Sequence, residues 1–111
     1  VNIVDLIFQR ATAANTAVIS PELLLTFGEL EARMNACAQA MSTDSSWPRK
    51  NRPRIGLDAP SSADYIVVAL SILKQNACFV PIPAELTASE RAQLAKSTAL
   101  DAIVHAKNAE D

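Results

Sequence analysis

The sequence predicts an α/β fold: a small three-layer unit with a three-stranded parallel sheet flanked by helices, and a marginal β-hairpin ahead of it. Three observations point there. From Arg54 onward the patterns alternate strand, helix, strand, helix, strand. The strand runs are almost continuously apolar, as strands covered on both faces should be. Two helices open with a Thr-x-x-Glu signature, Thr26–Glu29 and Thr87–Glu90, which marks an N-terminal capping box.

Each element follows from its own residues. Ile3, Val4, Ile7, Phe8 and Ala11 recur at helical spacing and predict a short helix over 2–13, with Asn2 as N-cap. "TAVIS" and "LLLT" read as two short strands. Pro21 presets a turn between them, so 17–26 forms a hairpin at the margin of the fold. Thr26 then caps a helix whose apolar stripe is Phe27, Leu30, Met34, Cys37, Ala38 and Met41, ending near Met41. Residues 42–53, with two prolines, form a polar, flexible loop.

"RIGLD" (54–58) is the first parallel strand. Ser61 is the expected cap of "ADYIVVALSILKQ", which is apolar almost all round and is expected to be buried on more than one side. Asn76 occupies the left-handed position that ends this helix. The second strand spans 78–82. Pro81 cannot donate to a ladder, so the strand ends there or leaves that position unpaired. "ASERAQLAKST" is the last helix and 101–105 the third strand, joined by right-handed crossovers.

At 111 residues the chain is one domain or part of one. A net charge of -2 supplies no steering field for nucleic acid or an anionic membrane. No apolar run reaches the roughly 18 residues of a membrane span. Asp5 and Arg10 interrupt the first apolar stretch, so no secretory signal is expected and a cytoplasmic location is. The start at Val1 reads as a cut or processed end. Cys37 and Cys78 are expected to be reduced core thiols, and no Cys/His spacing suits a metal. There are two glycines, Gly28 and Gly56. A phosphate-cradling loop needs a run of them, so this chain is not expected to bind a nucleotide that way.

Three groups invite a functional reading. Arg49, Lys50, Arg52 and Arg54 crowd together, yet only Trp47 is aromatic beside them, which fits a solvated loop better than a nucleic-acid patch. His105 ends a strand with no partner nearby in the sequence. Asp58 follows a strand end, where α/β folds place chemistry. A phosphoacceptor signalling module would use Asp58, but it would also need an acidic pair after an earlier strand and a Lys after a later one. "TAVIS", "LLLT" and "FVPI" supply neither.

Two stretches resemble a known family. "LTFGEL" (Leu25 to Leu30) is similar to the first core motif of the adenylate-forming enzymes, and "LKQNACFVPIP" (Leu73 to Pro83) to their second. "RIGLDAPSSADYIVVALSILK" resembles the strand and helix before the second motif, and Arg91 also fits the pattern. The chain departs from the family at Gln75-Asn76, which replaces Ala-Gly, and at Phe27 and Phe79, which replace Tyr. Ile82 also runs into Pro83 without the usual Asp.

The resemblance implies the N-terminal subdomain (1–111) of an acid-activating ligase, acyl- or aryl-coenzyme A synthetase-like. A peptide-synthetase adenylation domain is the alternative. The parent enzyme would use ATP, Mg²⁺ and coenzyme A on a carboxylic acid. The family's phosphate loop and catalytic groups have no match here, so no catalytic, cofactor-binding or metal residue is assigned. The fragment is expected to be inactive, with the remainder of the ligase as its partner. A non-catalytic interaction module is a further alternative. The mostly apolar helix 62–75 is expected to contribute a bare face and self-association of the fragment.

Overall fold

The computed structural model of the chain describes residues 2–19, 24–59, 63–83 and 85–105. Among these residues nine elements appear in order: α1 (Ile3–Arg10), β1 (Thr16–Ile19), β2 (Leu24–Thr26), α2 (Phe27–Thr43), β3 (Arg54–Asp58), α3 (Ala63–Lys74), β4 (Cys78–Pro81), α4 (Ala88–Thr98) and β5 (Ala102–His105). β3, β4 and β5 form a parallel sheet in the order β4-β3-β5, and β1 pairs antiparallel with β2. The hairpin turn around Pro21 and the cap expected at Ser61 lie outside the described residues.

α1 is shorter than its periodicity suggests, because the carbonyls after it serve another helix. Asn2 caps α1 through a bond from the Val4 amide. The helix closes where the Ala11 amide donates to the Ile7 carbonyl. Beyond it, the Ala13 and Asn15 carbonyls accept from Gly28 and Phe27, two first-turn amides of α2 that have no partner inside their own helix. The capping box completes that turn: Glu29 N donates to Thr26 Oγ1 at 3.2 Å, and Thr26 N donates to Glu29 Oε1 at 3.0 Å. α2 runs on to Thr43, two residues past Met41, with Ser42 and Thr43 hydroxyls bonded back to the Gln39 carbonyl.

α3 is buried on two sides. Val67 and Leu70 pack with Val18, Leu25 and Leu30 under the hairpin and α2. Ile72, Tyr65, Val68 and Ala69 pack with Ile55 and Leu57 on the sheet. Ser71, fully buried between them, places its hydroxyl 2.6 Å from the Val67 carbonyl and 3.1 Å from the Met34 carbonyl of α2. The apolar face expected to lie bare on this helix is therefore mostly covered within the chain, because a two-sided core needs apolar residues all round; Ile66 alone of its large apolar residues stays exposed. Asn76 ends α3 with φ 59°, as expected.

The strand period of two assigns β3 two unlike faces. Ile55 and Leu57 point to α3. Arg54, Gly56 and Asp58 point to α4. Arg54 Nη1 donates to the Thr98 carbonyl, Gly56 lies under Leu100, and Asp58 pairs with Arg91. α4 thus runs antiparallel to β3 on the second face, completing the three layers. A Cβ at Gly56 would stand 2.8 Å from Ile82 Cδ1 and 2.9 Å from Leu100 Cδ1, so glycine is what lets these side chains close over the central strand. Pro81 is the last residue of β4, an edge strand, and the ladder continues past it through Ile82 N to the Leu57 carbonyl. α4 ends on Ala99 at φ 53°, with Leu100 N bonded to the Ala95 carbonyl, a left-handed stop made without glycine or asparagine.

Two stability outcomes follow. Ile72→Ala removes the α3 side chain seated on the sheet and lowers unfolding free energy by about 2–5 kcal/mol. Ser71→Ala removes one hydroxyl bond and costs about 1 kcal/mol; urea titration ranks the two. Hydrogen bonds from the Thr26 and Thr87 backbones hold the Glu29 and Glu90 carboxyls below their ordinary value of 4.5. Their contribution is complete above that value and fades as pH falls through the lowered folded-state values. The melting temperature drops between pH 6 and pH 3, and a Glu29→Gln/Glu90→Gln variant shows a shallower drop.

Candidate functional site

The C-terminal edge of the parallel sheet gathers the charged groups that the sequence left apart. Asp58 ends β3, and His105, in register beside it, ends β5. His105 Nδ1 lies 3.4 Å from Asp58 Oδ2. The Arg91 guanidinium, from the start of α4, reaches the same carboxylate oxygen, while Arg91 Nε donates to the Leu86 carbonyl at 3.1 Å. Asp58 and Arg91 are half-buried, whereas His105 is 67% exposed. His105 therefore has an acid partner after all, supplied by the neighbouring strand rather than by the nearby sequence.

Chemically this is a clamp. Asp58 lies beside the imidazole Nδ1 and ties α4, with the segment before it, to the central strand through Arg91. Among the described residues no group of three or more His, Cys, Asp or Glu could hold a metal ion. Asp58 faces a guanidinium instead of the acidic neighbours that a phosphoacceptor site requires, which counts against the signalling reading.

Among the described residues, neither glycine is placed to cradle a phosphate. Gly28 sits in the first turn of α2 with its amide committed to Ala13, and Gly56 is covered by Ile82 and Leu100. The basic cluster is mostly engaged as well. Arg49 donates to the Asp44 carbonyl, Lys50 pairs with Asp101 at 3.0 Å, and Arg54 holds the Thr98 carbonyl. The Arg54 amide and Lys50 together keep the Asp101 carboxyl below its ordinary range. These residues fasten the loop to the start of β5.

The two motif stretches make cap, core and strand contacts. In "LTFGEL", Leu25 is in the core, Thr26 and Glu29 form the capping box, and Phe27 meets Phe8 edge-on at 6.4 Å. In the second stretch Asn76 ends α3, Phe79 meets Tyr65 edge-on at 6.2 Å, and Pro81 closes β4. Cys37 is half-buried beside the hairpin core. Cys78 is exposed and not a core thiol, because it opens an edge strand on the face turned away from α3. Among the described residues no helix is long and apolar enough to cross a membrane.

Comparison with known proteins adds three findings. A family model described as AMP-binding enzyme matches residues 8–111. A polyketide synthase–nonribosomal peptide synthetase of Aspergillus flavipes is 29% identical over 98 residues, covering 88% of this chain and 2% of that protein. A hybrid synthetase of the same kind from Aspergillus candidus is 32% identical over 96 residues, covering 84% and 4%. The chain thus spans only a few per cent of these relatives.

Among solved structures, the N-terminal subdomain of Klebsiella oxytoca NpsA superposes with a TM-score of 0.81 at 17% identity, over 93% of this chain and 26% of that one. A fatty acyl CoA synthetase of Mycobacterium tuberculosis superposes at 0.80 and 24% identity, over 94% and 21%.

The clamp makes a checkable difference between the two helices that flank β3. α3 is held by apolar packing, whereas α4 buries none of its residues and is held by Arg91 and Arg54. Arg91→Met loosens α4 first: amide hydrogen exchange in 88–98 accelerates about tenfold or more, as expected for losing a charge-assisted pair, while exchange in α3 stays unchanged.

Proposed function

The chain belongs to the AMP-binding enzyme family, and on that premise we propose that it forms the N-terminal part of a ligase that activates a carboxylic acid with ATP. The parent enzyme joins carboxylate and ATP into an acyl-adenylate and pyrophosphate, then passes the acyl group to a thiol. The family match over 8–111, with the three-layer α/β unit beneath it, carries this reading.

The role of these residues is a wall of the larger domain. The capping box, Asn76 and the Asp58–Arg91 pair fix the edges of that wall, and the groups that hold ATP and Mg²⁺ belong to the remainder of the ligase. Alone, the chain is inert toward ATP and tends to self-associate through apolar positions such as Ile103 and Leu24, which stay 40% and 58% exposed.

Coenzyme A is the acceptor that the motif resemblance suggests. A carrier-protein thiol is the second reading, favoured by the hybrid synthetases among the relatives. ATP–pyrophosphate exchange separates the possibilities. The full-length parent exchanges label in an acid-dependent way, and the isolated chain shows no exchange and no saturable heat with ATP. Thioester formation on a carrier protein but not on coenzyme A selects the second acceptor. Nucleotide binding by the isolated chain overturns the wall assignment.

A further inference from the structure

At the N-terminal edge of the sheet, opposite the Asp58 clamp, lies an open cleft of about 510 Å³. Its volume falls within the range of small-molecule sites, roughly 300–1,000 Å³. Ile3 and Leu73 supply an apolar side, and Asn51, Arg52, Asn76 and Cys78 supply a polar one. Among the described residues that line it none is acidic, and Arg52 is the only charged one.

Arg52 stands out twice. Of the four basic residues in and next to its loop, it alone has no side-chain partner among the described residues, since Arg49, Lys50 and Arg54 are all engaged. Its backbone is also held left-handed at φ 49°, a conformation that is unfavourable for a non-glycine residue. Asn76, the other left-handed residue lining the cleft, has its Oδ1 committed to Asn2, which leaves its amide N–H groups as donors.

We propose that this cleft is a binding site for a small carboxylate with an apolar chain. The guanidinium offers a planar fork that matches a carboxylate. The Asn51 and Asn76 amides add neutral donors, and Ile3 and Leu73 take the alkyl chain. One unengaged cation suits a monoanion better than a phosphate monoester, which carries about −1.5 to −2 near neutral pH. The site is independent of the ligase assignment, because it lies at the far end of the sheet from the strand C-termini.

Hexanoate is a suitable probe. Titrated into the ¹⁵N-labelled chain, it shifts the amides of Asn51, Arg52, Asn76 and Cys78 saturably, whereas hexanol does not. Arg52→Gln weakens binding about tenfold or more, the loss expected for a charged hydrogen bond, and Arg33→Gln on the exposed face of α2 leaves it unchanged. A second measurement needs no variant: hexanoate slows alkylation of Cys78 by iodoacetamide and leaves Cys37 unaffected. Absence of saturation, equal binding of hexanol, or full affinity in Arg52→Gln overturns the proposal.

Discussion

The fold depends on α3 being buried on two sides. Val67 and Leu70 close the core beneath the hairpin and α2, while Val68, Ala69 and Ile72 close the core against the sheet. A two-stranded hairpin is marginal in water by itself, and three short parallel strands with one face uncovered fare little better. One shared helix lets each half bury its apolar surface. The price is a buried hydroxyl, Ser71, which the structure satisfies with carbonyls of α3 and α2.

The central strand shows a second constraint. Its odd-numbered residues, Ile55 and Leu57, are fully buried against α3, whereas Arg54, Gly56 and Asp58 meet α4 with polar groups or with no side chain at all. Apolar packing is non-directional and strong in sum, so α3 is the rigid side. Ion pairs near the surface contribute less and depend on geometry. The sheet's charged chemistry is therefore gathered along the α4 face and its C-terminal edge, and its accessible cleft lies at the other end.

Much of this was legible from local signals. Thr26–Glu29 and Thr87–Glu90 announced two helix starts because a capping box is a contact between residues three apart. Asn76 marked the end of α3 for the same local reason, and the mostly apolar run of 63–74 implied burial on more than one side. The stop at Ala99 carried no such signal, since alanine has no preference for a left-handed backbone. Nor did the exposure of Cys78: an apolar neighbourhood in sequence does not say which strand is at an edge.

The candidate site divides along the same line. The sequence by itself determined the elements, the order in which they alternate and the family resemblance, because caps, periodicity and motif spacing all act over a few residues. Only the tertiary structure decided that Asp58, Arg91 and His105 meet. That contact requires β5 to lie beside β3 rather than beyond β4, and α4 to cross on the face opposite α3. Strand order is set by how distant segments pack, and no pattern within either strand encodes it.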